Sequence, residues 1–200
     1  MSTISQTELF IYLNSINEDY AKRCLKLIEG VTPILNTIHN VFPFYTQHNA
    51  IHSAKIVHRI GHILKSECLK SNSAIALSGV GVYLLICSAY THDLGMAIFP
   101  DEDQTLCDRL GVEMVDDWRS NARIQQYLRL EHSKRGIDYL DKNKIELEIP
   151  SSLLVHLDYM MRAHNEPVQD LKSGLLKKYA PAVQQINLPQ LASVLCIADA

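Results

Sequence analysis

From Ala74 to Tyr90 the chain is almost continuously apolar, and the run leads directly into Thr91-His92-Asp93-Leu94-Gly95. A segment that is apolar nearly all round needs burial on every side, so it predicts a central helix packed within other helices. It is short for a membrane span and carries Ser78, Gly79, Gly81 and Ser88, which favours a core helix over a spanning one. The residues that end it carry chemistry. An imidazole beside a carboxylate, where a buried helix gives way to a glycine-containing turn, suits a divalent cation: the imidazole takes zinc, iron, nickel or manganese, and the carboxylate can bridge two ions.

The rest of the chain reads as helix too. Helical spacing of apolar residues is expected over Thr7–Ser15, Glu18 to about Asn40 with a break or restart at Pro33, and Thr46–Glu67. Shorter helices are expected at about Gln104–Asp116, Asn121–Lys142, Ser151–His164 and Asp170–Tyr179, and a last one from Leu188, where Pro189 suits a first turn. Strict alternation is confined to Ile145–Ile149, before Pro150, a loop or small edge element. The expected fold class is therefore all-α, a compact multi-helix bundle. Residues 1–200 read as one domain, with the helices before residue 45 accessory to it. The apolar helical pattern runs on to Leu195-Cys196-Ile197-Ala198-Asp199-Ala200 without a capping signal. We therefore expect a fragment of a longer, multidomain protein, with a further C-terminal domain.

A net charge of −3 argues against a broad nucleic-acid-binding surface, though not against a local basic patch. The 5 cysteines are scattered and form no CxxC, as in a reduced, cytoplasmic protein that uses them as small core residues. No basic segment precedes an apolar one at the N-terminus, so no signal peptide and no membrane association are expected.

Histidines supply the next constraint. On a helical wheel His52 shares a stripe with Ile56 and Ile63, which points it to the core side, and His48 lies one turn earlier on nearly the same line. His58 and His62 fall on another face, beside Lys55 and Lys65, and read as solvated surface. Competing chemistries lack their motifs. Gly79-Val80-Gly81 misses the third glycine of a phosphate-cradling loop, no serine sits in a GxSxG elbow, and His48-Asn49-Ala50-Ile51-His52 lacks the glutamate of HExxH.

His52 in His-Ser-Ala-Lys-Ile-Val, His92-Asp93 in Thr-His-Asp-Leu-Gly, and Asp199 in Cys-Ile-Ala-Asp-Ala together resemble the HD-domain metal-dependent phosphohydrolases. The resemblance covers about Tyr45 to Ala200. It implies a helical HD bundle with a central metal site and assigns one ion to His52, His92, Asp93 and Asp199. Leu-Glu-His132-Ser-Lys-Arg-Gly136 and Met161-Arg-Ala-His164-Asn-Glu166 are similar to two further segments of the multinuclear HD-GYP-like branch. That likeness implies a second ion on Asp93, His132 and His164, with Asp93 bridging. The ions would be Mn, Fe, Ni, Zn or Mg. His48 stands where some of those proteins carry a carboxylate for a third ion; it would ligate, orient His52 or touch substrate. Met96 replaces that branch's Lys, Asn165 replaces the second His of its pair, and no Gly-Tyr-Pro follows Glu166. These departures count against cyclic di-GMP as the substrate.

The resemblance implies a phosphoric ester hydrolase acting on a nucleotide or cyclic nucleotide through a metal-bridged hydroxide that Asp93 helps to orient. Basic side chains near the motifs, Lys55 and Arg135 with Lys134 and Arg162, are the candidates to serve the leaving oxygen or to hold phosphate. Two other readings stay open: a nuclease on single-stranded nucleic acid, and a non-catalytic nucleotide-sensing module that regulates an attached domain. The expected partner is thus a phosphorylated small molecule, with a single strand as the alternative.

Overall fold

The computed structural model describes residues 4–45, 48–164 and 186–200. Eight α-helices carry the fold of these residues: α1 Glu8–Ile16, α2 Glu18–Leu35, α3 Ala50–Ile63, α4 Gly79–Thr91, α5 Asp103–Leu110, α6 Ala122–Lys142, α7 Leu154–Ala163 and α8 Leu188–Asp199. Short 3-10 turns join several of them, the most important being Leu94–Met96 directly after the His-Asp pair. The described residues contain no strand, and Ile145–Ile149, which could have been an edge element, is a turn.

The apolar run becomes α4. Every residue from Gly81 to Thr91 is buried, and α1, α2, α3, α7 and α8 all pack on this helix. The expectation of a central core helix holds, and no helix among the described residues is long and apolar enough to cross a membrane. The helices before residue 45 join the same core through Leu9, Leu13, Leu27 and Val31. All five cysteines are free thiols; Cys24, Cys87 and Cys107 are buried, Cys68 and Cys196 half-buried.

Helix boundaries differ from expectation where a capping residue intervenes. α3 begins at Ala50 rather than Thr46 because the Asn49 side chain accepts from the Ile51 and His52 amides. It ends at Ile63, and a separate 3-10 turn takes Ser66–Leu69. α4 begins at Gly79 rather than Ala74, capped by Ser78 on the Gly81 amide. α5 stops at Leu110 rather than near Asp116, because Gly111 turns left-handed at φ 61°. α2 does not break at Pro33; it runs to Leu35, where the helix is ending anyway and little is lost by the missing amide. The helix expected over Asp170–Tyr179 lies outside the described residues.

Candidate metal centre

Five helices and one turn bring the sequence-predicted ligands together. His52 sits in the first turn of α3, held there by the Asn49 cap. His92 ends α4, its amide bonded to the Ser88 carbonyl, and Asp93 follows with φ −99° and ψ 3°, the bridge region that recurs at active sites. His132 lies inside α6, His164 at the C-terminal cap of α7, and Asp199 at the end of α8.

Two glycines make the crossing possible. A Cβ on Gly95 would stand 2.0 Å from the His132 carbonyl oxygen and 2.8 Å from the Gly136 nitrogen. The turn after His-Asp thus lies backbone to backbone on α6, which carries Asp93 up to His132. Arg135 fastens the same contact. Its guanidinium donates to the carbonyls of Gly95 at 2.9 Å and Ala97 at 2.8 Å and pairs with the Glu102 carboxylate. Every one of these partners belongs to the segment after the His-Asp pair, so Arg135 ties that turn to α6. Arg162 pairs with Asp158, and Asp103, at the start of α5, pairs with Arg119, while Lys55 stands exposed on α3.

Both carboxylates face two ways. Asp93 Oδ2 lies 2.8 Å from His48 Nδ1 and 3.1 Å from His92 Nε2, while its Oδ1 lies 3.8 Å from His132 Nε2 and 3.7 Å from His164 Nε2. Asp199 Oδ1 lies 2.9 Å from His52 Nε2 and 3.5 Å from His92 Nε2, while its Oδ2 lies 3.1 Å from His164 Nδ1. His48, left open between ligand and orienting role, is drawn into the cluster. The triads His48–His52–Asp93, His52–His92–Asp199 and His92–Asp93–His164 each bring their ligand atoms within 4.8 Å of one another.

The donor chemistry fits cations. His92 Nδ1 faces the Ala89 carbonyl at 3.2 Å and His132 Nδ1 faces the Arg129 carbonyl at 2.7 Å. Each ring can donate its Nδ1 proton there, which turns the Nε2 lone pair toward the carboxylates, the outer-shell arrangement of metal-bound histidines. His92 Nε2 is buried and makes no hydrogen bond. A buried lone pair among carboxylate oxygens is tolerable only with a proton or a metal ion between them. Without metal the proton takes that place. Burial opposes charge on His92, but Asp93 and Asp199 overcome it and push its pKa up to about 10. Burial alone would raise the carboxyls of Asp93 and Asp199; the surrounding imidazoles outweigh it and hold both well below the usual range. Burial lowers His132, despite Asp93.

A family model described as HD-CE matches residues 42–200. The chain belongs to the HD-CE family. The HD-CE match starts just after α2 and takes in every residue of the cluster. It agrees with the kinship to HD-type domains that the strings around His52, His92-Asp93 and Asp199 implied, and it sets the chain among proteins of the metal-dependent hydrolase superfamily. No curated protein and no solved structure matches this HD-CE chain.

Sequence reasoning missed Arg135's positioning role, the Gly95–Gly136 contact and the cap on α3. Asn49, a preferred capping residue just before the apolar-periodic stretch, was the readable signal for the last of these.

Proposed function

We propose that this HD-CE domain is a metal-dependent phosphoric ester hydrolase acting on a nucleotide or cyclic nucleotide. The observation that carries the reading is the two-sided placement of Asp93, one oxygen toward His48 and His92 and the other toward His132 and His164. In this reading His52, His92, Asp93 and Asp199 hold one ion, and Asp93, His132 and His164 hold a second. When bound, the ions would supply charge that offsets the phosphoryl oxygens and lowers the pKa of water.

The chain's own groups do the rest. The Ala89 and Arg129 carbonyls fix the rings of His92 and His132, and Arg135 and Gly95 hold Asp93 against α6. His48 is half-buried, with Nδ1 on Asp93, and it lines a cavity of about 350 Å³ with Phe42, Tyr45 and Asn49. It is the basic side chain best placed to hand a proton to a leaving oxygen at the cavity mouth. The aromatic wall of the same cavity suits a nucleobase.

The test is metal analysis of the purified protein, followed by a panel of nucleotides, cyclic nucleotides, cyclic dinucleotides and short single strands. Bound Mn, Fe, Ni or Zn with release of phosphate or cleavage of a cyclic nucleotide supports the reading. Turnover of single strands alone replaces it with a nuclease, and a metal-free protein that binds nucleotides unchanged replaces it with a sensor.

A further inference from the structure

Helix α3 carries a second histidine pair that the centre does not use. His58 and His62 are one helical turn apart, both exposed, with ring centroids 4.4 Å apart and planes at 83°. Their Nε2 atoms point at each other across 3.0 Å. At 100° per residue the pair lies roughly 80–120° around α3 from His52, so it faces away from the cluster. The backbone beneath is rigid: Ile56, Val57, Ile60 and Gly61 are buried on the other side of the same helix, and Arg59 donates to the Ala198 carbonyl of α8 at 2.9 Å. The two rings contact each other and pair with no carboxylate among the described residues.

The 3.0 Å separation is that of an N–H···N hydrogen bond between the two rings, and it also lies close to the bite of a chelated ion. Two metal–nitrogen bonds of about 2.0–2.1 Å set at a right angle span about 2.9 Å, whereas the tetrahedral angle of zinc opens the span to about 3.3 Å. Right-angled nitrogen pairs are what tetragonal Cu(II) and Ni(II) require, and these ions also stand high in the general affinity order. An i, i+4 spacing on a buried-backed helix fixes the bite before any ion arrives, so little order is lost on binding. We propose that His58 and His62 form a surface clip for a divalent cation of tetragonal preference, Cu(II) or Ni(II), separate from the centre around Asp93, with water in the remaining positions. The clip does not depend on the hydrolase reading.

Metal-stripped protein and an Asp93→Asn variant, in which the centre is weakened, are titrated with Ni(II) and with Cu(II) by calorimetry and by electron paramagnetic resonance for copper. Both proteins are expected to bind one equivalent that a His58→Ala/His62→Ala variant lacks. The copper signal that the double variant loses should be axial with two nitrogen ligands. His58→Ala alone should weaken binding by at least on the order of 10-fold, as loss of a ligand must exceed loss of an outer partner. His58→Gln/His62→Gln, which keeps polar side chains on the exposed face, should lose the same equivalent at an unchanged melting temperature. The proposal is overturned if the double variants retain the equivalent, if three or more nitrogens bind the copper whose signal they lose, or if Zn(II) outcompetes Ni(II) at this site.

Discussion

Asp93 and Asp199 each serve two groups of imidazoles with separate oxygens, so neither can be shortened or neutralised without affecting both halves of the centre. Asp93→Asn keeps the shape and removes the charge. We expect it to lower metal content below that of the wild type, as read by elemental analysis, and to cut turnover by on the order of 100-fold or more. Arg135 acts one step back. Arg135→Ala leaves Glu102 and two carbonyls without their partner; since the pair is not fully buried, the expected cost is about 2–3 kcal/mol in denaturant unfolding, below the range for a fully buried pair. Arg135→Lys should recover little, because one ammonium cannot reproduce the fork that reaches Gly95, Ala97 and Glu102 together. At this scale the clustered imidazoles and carboxylates were readable from sequence, since such groups in a fixed order carry their own chemistry. Arg135 was not: its role depends on where a turn 40 residues earlier lies against α6.

Between elements, the decisive contact is the Leu94–Met96 turn on α6. Gly95 and Gly136 both lie in it, but with different neighbours. A methyl on Gly95 meets backbone that cannot yield, whereas a methyl on Gly136 meets Met161 Cε, the tip of a flexible side chain, at 2.5 Å. Gly95→Ala should therefore cost about 3 kcal/mol or more and Gly136→Ala clearly less, compared by thermal and denaturant unfolding. A result in the reverse order would contradict the packing described. The same scale shows why helices were legible and their ends were not. The apolar face of α6 and the all-apolar α4 follow from spacing alone. The starts of α3 and α4 are set by single side chains, Asn49 and Ser78, within stretches whose periodicity continues past them.

For the whole molecule, the centre links stability to pH. His92 has an ordinary value of 6.5 and a folded value of about 10, so in metal-free protein its contribution is complete below about 6.5 and disappears as pH rises toward 10. Asp93 and Asp199 are shifted down, so their contribution is present above the ordinary carboxylate value of 3.8 and is lost as pH falls below it. The melting temperature of metal-stripped protein should be highest at about pH 5–6.5 and decline toward pH 10. Asp93→Asn should flatten the alkaline decline, and metal should raise the melting temperature wherever the imidazoles can shed their protons. Differential scanning fluorimetry across pH checks all three.

The link between His52 and Asp199 joins residues 147 positions apart, and it is the last helix, α8, that closes it against α3 and α7. On a ribosome adding roughly 5–20 residues each second, the histidines of α3, α4 and α6 emerge well before their final carboxylate. For that interval those imidazoles have Asp93 beside them but not Asp199. An ion bound in that interval would be chosen by availability during synthesis as well as by the geometry that α8 later imposes.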